Sequence, residues 1–261
     1  MMGRGCRVLN KIYYEDNQET MKRTPDNSVD FILIDPPYNT TNCSWEYEIN
    51  LPVLWPEWLR ILKPNGVIAI FCNEPFTSKL IMSNVKMFKY KWIWDKDSAA
   101  GFLNAYKMPL TGYEEVVIFS PVLMGNHTYN PQFSKKAKNL VRPPKIDGKE
   151  YSGTYNKFNS LSKEKDTSKA FPKNIIRIAK NESECNSLNR IHETQKPVSL
   201  MRYFVLTYTN PGETVFDGYS GSGSTAEACI IEKRNFICSE NDFEIFTEST
   251  KRLSLINPTL F

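Results

Sequence analysis

Val29-Asp30-Phe31-Ile32-Leu33-Ile34 is a run of β-branched and aromatic residues that two prolines halt at Asp35-Pro36-Pro37-Tyr38. Such a run reads as a strand buried on both faces, the kind found in parallel sheets. Proline cannot donate to a sheet ladder, so the strand must stop there, and the pair of rings holds the following turn in one shape. The carboxylate of Asp35 is thereby set at the C-terminal end of a strand, where open α/β sheets keep their ligand crevices.

The rest of the chain alternates in the same way. A short strand over Asn10–Glu15 leads into a helical stretch at 17–22 and a turn at Pro25–Ser28. Leu51–Leu62 has apolar residues at helical spacing, and Pro52 and Pro56 divide it into two parts, with Trp55 and Trp58 facing a core. Lys63-Pro64-Asn65-Gly66 reads as a turn, followed by a strand at 67–71, a helix at 76–85 and strands at 90–94 and 116–119. After a long patternless stretch come a helix from Pro197 to Tyr208, a strand at 213–217, a helix at 224–233, a strand at 236–239 and a closing helix at 242–255. The expected fold is α/β: a doubly wound, mostly parallel sheet covered on both faces.

The patternless stretch, residues 125–190, holds 14 Lys and Arg against 6 Asp and Glu, a net of +8. The whole chain carries only +4, so the remainder sums to −4. Tyr129, Phe133, Tyr151, Tyr155, Phe158 and Phe171 lie among these basic residues. A basic segment with interleaved aromatics suits phosphates and stacked bases, and is expected to be an inserted recognition segment. The expected organisation is a catalytic half at 1–124, this insertion at 125–190, and a cofactor-binding half of the same domain at 191–261.

The six cysteines, at 6, 43, 72, 185, 229 and 238, form no Cys-x-x-Cys pair, and there are only two histidines. That composition argues against zinc or a disulfide framework and fits reduced thiols in a cytoplasm. With no apolar run of 18 residues and no secretory h-region, neither a membrane span nor secretion is expected.

Two stretches carry chemistry. An exocyclic amino group on adenine or cytosine is a poor nucleophile, because its lone pair is shared with the ring. Two fixed acceptors aimed at its hydrogens draw it toward a tetrahedral form. The Asp35 carboxylate and the Pro36 carbonyl can supply them, and Tyr38 adds a ring on which a base taken out of its duplex can stack. The second stretch is the loop Gly218-Tyr219-Ser220-Gly221-Ser222-Gly223 between a strand and a helix. A phosphate-binding loop would need Lys at 224, and this chain has Ser224. The loop also satisfies the dinucleotide pattern, but only 21 residues follow Glu240, too few for the rest of such a unit. S-adenosylmethionine, with a ribose diol and no phosphate, suits a lysine-free glycine loop with Glu240 as acceptor for the diol.

Asp35-Pro36-Pro37-Tyr38 resembles the catalytic motif of the DNA amino-methyltransferases, and Val215 through Thr225 resembles their S-adenosylmethionine motif. His192-Glu193-Thr194-Gln195-Lys196-Pro197 is similar to the Lys-Pro segment that precedes it in that family. The order of catalytic motif, recognition segment and cofactor motif is the β-type arrangement. Tyr219-Ser220 departs from the family's usual Pro with Phe or Cys. The resemblance implies a circularly permuted class I methyltransferase fold. It also implies direct methyl transfer from S-adenosylmethionine to a flipped base in double-stranded DNA, with no covalent enzyme intermediate. Asp35, Pro36, Pro37 and Tyr38 are the implied catalytic set. Asp16, Lys196, Phe216, Asp217, Gly218, Ser220, Gly221, Gly223, Glu240 and Asn241 are the implied cofactor set. Aspartate at the head of the motif is associated with adenine N6, cytosine N4 being the alternative. A DNA-binding protein that keeps the fold without turnover is the rival reading. A partner nuclease and a homodimer stay open, and no metal is expected.

Overall fold

The computed structural model describes residues 9–37, 49–135, 168–179 and 195–258. Its main unit comprises Met1–Asn130 and Asn174–Phe261. In that unit eight strands form one sheet. They are β1 (Lys11–Tyr14), β2 (Val29–Ile34), β3 (Leu62–Cys72), β4 (Phe88–Ala100), β5 (Thr111–Phe119), β8 (Ile175–Arg177), β9 (Thr214–Asp217) and β10 (Asn235–Glu240). Their order across the sheet is β1-β10-β9-β2-β3-β5-β4-β8. Neighbours run parallel except where β5 lies antiparallel between β3 and β4. The sheet is thus mostly parallel, as expected.

Alternation along the strands divides the core in two. Phe31, Leu33, Val67, Ala69 and Phe71 point to one face. There they meet α4 (Val198–Tyr208), α5 (Ser224–Ile231) and α6 (Phe243–Ile256). Ile32, Ile34, Ile68 and Ile70 point to the other. There they meet α1 (Asn17–Arg23), α2 (Leu51–Ile61) and α3 (Phe76–Ser83). Every residue of β2 is buried, which is why its sequence reads as continuous rather than alternating. No helix among the described residues is long and apolar enough to cross a membrane.

Three local expectations need correction. Leu51–Ile61 is one helix, with Pro56 inside it. Pro56 leaves the Pro52 carbonyl without its intrahelical donor, yet the helix runs through it. Lys63–Gly66 is not a turn between elements but part of β3, at a shift in the β2–β3 register between Val29/Leu62 and Phe31/Val67. Gly66 is required there: a Cβ would stand 2.6 Å from Leu62 Cδ1 and 2.9 Å from the Asp30 carbonyl. Finally, β4 and β5 run well beyond the expected 90–94 and 116–119, and a 3₁₀ turn at Phe102–Asn104 lies between them.

The second unit is Pro131–Lys173. Its described part pairs β6 (Ser134–Lys135) with β7 (Lys169–Ala170) antiparallel, and the Phe133 and Phe171 rings lie 4.9 Å apart. Of the 125–190 segment, residues 125–130 and 174–179 therefore belong with the main unit, where β8 pairs with β4. Most of the remainder lies outside the described residues.

One buried carboxylate joins β2 to its neighbours. Asp30 accepts from both the Thr214 N–H (2.9 Å) and Lys63 Nζ (2.7 and 2.8 Å). Asp30→Ala leaves the buried Thr214 N–H without an acceptor and is expected to cost about 1–3 kcal/mol, read as a lower urea midpoint.

Candidate active site

β2, β9 and β10 are parallel and adjacent, and β1 lies beyond β10. Their C-terminal ends therefore share one edge of the sheet. Asp35 leaves β2 there, the glycine loop leaves β9, Glu240 ends β10, and Asp16 follows β1.

The glycine loop is built to come close to something. Gly221 (φ 49°) and Gly223 (φ 79°) have left-handed backbones that residues with a Cβ adopt at a cost. Gly218 has no space for a side chain, since a Cβ would lie 2.9 Å from the Asn17 Cβ and 3.1 Å from Phe216 Cε1. Several bonds pin the loop: the Ser220 N–H donates to the Ser239 carbonyl (2.9 Å), the Tyr219 N–H to Asp217 Oδ1 (3.0 Å), and Arg252 Nη1 to the Ser222 carbonyl (2.8 Å). Glu240 accepts from the N–H groups of Gly221 (2.8 Å) and Asp242 (2.9 Å). Burial pushes the Asp217 carboxyl up to about 7; the bonds from Thr225 and the Tyr219 N–H oppose the rise, and the charges of Asp35 and Glu240 add to it.

Beside this loop is a cavity of about 280 Å³, lined by Asp16, Asn17, Gln18, Ile49, Asn50, Val53, Leu54, Tyr219 and Asn241. Asp16 caps α1, accepting from the Gln18 N–H (2.9 Å). Asn17 is buried, and its Oδ1 accepts no hydrogen bond from any described residue. Sequence reasoning passed over Asn17, although its place beside Asp16 at a helix start was the available signal. Phe216 lies in the core rather than on the cavity, beneath Gly218.

Asp35 has a partner that no local pattern announces. Lys196, just before α4, pairs with Asp35 Oδ2 and with Glu114 Oε2 (3.3 Å), and its ammonium lies 5.1 Å from the centre of the Phe71 ring. Glu114 in turn pairs with Lys96 of β4 (3.2 Å). Charges therefore alternate in sign through Asp35, Lys196, Glu114 and Lys96. The Lys196 carbonyl accepts from Ser224 Oγ (2.9 Å), tying this lysine to the first residue of α5. Burial acts to raise the Glu114 carboxyl, but Lys196 and Lys96 outweigh it and hold it below the usual carboxylate range. Pro36 is buried and Pro37 half-buried. Tyr38 and His192 lie outside the described residues.

The described cysteines are buried, and burial raises all three thiols, that of Cys72 to about 12. Thiols so protonated are poor nucleophiles. Among the described residues, no cluster of His, Cys, Asp and Glu is arranged to hold a metal.

The family model for DNA methylases matches residues 29–251. The chain is 26% identical over 249 residues to the Type II methyltransferase M.HpaI of Haemophilus parainfluenzae, covering 90% of this chain and 71% of that one. It is 28% identical over 257 residues to the DNA adenine methyltransferase YhdJ of Escherichia coli (strain K12), covering 94% and 82%. Its fold is similar to the crystal structure of an M1.HpyAVI–SAM complex, with a TM-score of 0.59, 23% identity, and coverage of 93% and 98%.

Glu114 gives a pH prediction. Its carboxyl titrates lower in the folded chain than in the unfolded one, so its stabilisation is complete above about pH 4.3 and is lost as pH falls below it. Glu114→Gln should lower stability at neutral pH and flatten the acid limb of a stability–pH profile below that value.

Proposed function

The chain belongs to the DNA methylase family, and from that premise we propose that it methylates the exocyclic N6 of adenine in DNA, using S-adenosylmethionine. The observation that carries this reading is the shared sheet edge, where Asp35, the glycine loop and Glu240 emerge side by side.

The residues present fit the cofactor. Asn17 Oδ1 is a buried acceptor beside the cavity, in keeping with a donor on a bound ligand. Gly218, Gly221 and Gly223 allow close approach of the backbone, and Glu240 offers carboxylate oxygens to ribose hydroxyls. Asp16, Asn17 and Asn241 would hold the adenosine part, for which about 280 Å³ is a fitting volume. Asp217 and Ser220 shape the loop, and Phe216 supports it from below. When bound, S-adenosylmethionine supplies a methyl group on a positively charged sulfur, already a strong electrophile.

The chain's own part is alignment and charge. The Asp35 carboxylate and the Pro36 carbonyl accept the two hydrogens of the target amine and favour the positive charge that develops on its nitrogen. Pro37 fixes the turn, and Tyr38 supplies a face for the extruded base. Lys196 faces Asp35 and Glu114 at once, so its positive charge is shared between two carboxylates rather than spent on Asp35 alone. Holding amine and methyl group in line can contribute up to about 7–11 kcal/mol. The assignment to adenine rests on the aspartate that heads the motif and on the likeness to YhdJ, named as an adenine methyltransferase.

Labelled S-adenosylmethionine and unmethylated DNA, incubated with the protein and digested to nucleosides, should yield N6-methyladenine. N4-methylcytosine would overturn the base assignment, and no labelled nucleoside would favour a binding protein without turnover. Asp35→Ala should lower turnover at least about 10²–10³-fold, with S-adenosylmethionine binding still measurable by calorimetry. Asn17→Ala should instead weaken cofactor binding by about 5–50-fold, the scale of one buried hydrogen bond.

A further inference from the structure

The β4–β5 hairpin extends past the sheet and ends in a tip that nothing in the described structure covers. Leu103 is 99% exposed and Phe102 69%, while Tyr106 and Met108 are also exposed. Soluble chains rarely leave so many large apolar side chains together in water without a partner for them. Gly101, in a left-handed conformation (φ 92°), turns the chain into the 3₁₀ turn that carries Phe102 and Leu103.

The direction of the hairpin identifies the partner. β5 is antiparallel to both β3 and β4, so β4 runs the same way as β3 and β2 and leaves the sheet at the edge where Asp35 lies. The root of the hairpin is joined to the site, since Lys96 and Glu114 sit on its two strands and Glu114 pairs with Lys196. From Lys96 to Phe102 an extended chain reaches up to about 20 Å, more than the ~8.5 Å depth of a major groove. From Ser98 to Tyr113 the one formal charge is Lys107, which is positive and suits a polyanion.

We propose that this tip is a wedge for duplex DNA, its apolar side chains entering the base stack beside the target pair and filling the gap left by the extruded base. Extrusion costs stacking and pairing energy, and apolar side chains inserted between base steps are a known way to offset it. Phe102, Leu103 and Tyr106 would occupy the stack, and Lys107 would meet a neighbouring phosphate. The proposal rests on the methyltransferase reading for its target base but not for its contact with DNA.

The test replaces Phe102, Leu103 and Tyr106 together by serine; their exposure makes a folding defect unexpected, and a thermal melt checks this. Sequencing the methylated product locates the target, after which duplexes with a paired or mismatched target base are compared. The variant should lose about 10–100-fold in kcat/KM and in affinity on the paired duplex, the scale of one or two lost stacking contacts. Most of the loss should vanish with the mismatch, which is cheaper to extrude. Equal loss on both duplexes, or none, overturns the wedge. So does a wild type that sediments as a dimer and becomes monomeric in the variant, since the tip would then serve a second copy. If the wild type bound duplex in a tip-dependent way yet transferred no methyl group, the methyltransferase reading would fail and the wedge would stand.

Discussion

The parallel pairing of β2 with β9 is the constraint on which this molecule depends. It brings together residues 184 positions apart, Asp30 and Thr214, through a buried hydrogen bond. Everything chemical follows from the shared direction of these strands. A strand halted by two prolines offers a carboxylate at its tip, and its neighbour ends in a loop that glycine keeps narrow. Were the two antiparallel, the same motifs would face opposite edges of the sheet and could not act on one substrate.

A second set of interactions tunes what the sheet positions. Lys196 is nine-tenths buried and lies between two carboxylates, with an aromatic face beneath it. A lone buried ammonium would be costly, and so would a lone Glu114. Alternating signs along Asp35, Lys196, Glu114 and Lys96 offset those costs pairwise. They also leave the last carboxylate, Asp35, partly exposed. Ser224 holds the Lys196 backbone, which ties the helix that follows the glycine loop to the group facing Asp35.

Much of this was legible in the sequence because the signals were local. The β2 run, the proline stop, the loop glycines and the helix from Pro197 each occupy a few consecutive residues, and each forces a backbone shape. What escaped depends on distance. Lys196 meets Asp35 across 161 positions, and no periodicity encodes such a pair. Glu114 and Lys96 interrupt strands with charge, which made β4 and β5 look shorter than they are. The three residues of β8 are too few to show any period. Lys63–Gly66 carries ordinary turn residues, yet Leu62 before it and Val67 after it both pair with β2, which keeps it within β3.

The order of the strands also bears on how the chain is made. β9 emerges from the ribosome some 180 residues after β2, a delay of roughly 10–40 s at ordinary rates of synthesis. Throughout that interval one side of the proline-stopped strand has no mate, and its open N–H and C=O groups are a template for mispairing. The nascent half is thus exposed to aggregation until the glycine-bearing half arrives to close the sheet. Closure across so long a separation in sequence is intrinsically slow, so the strand order sets when this edge is covered.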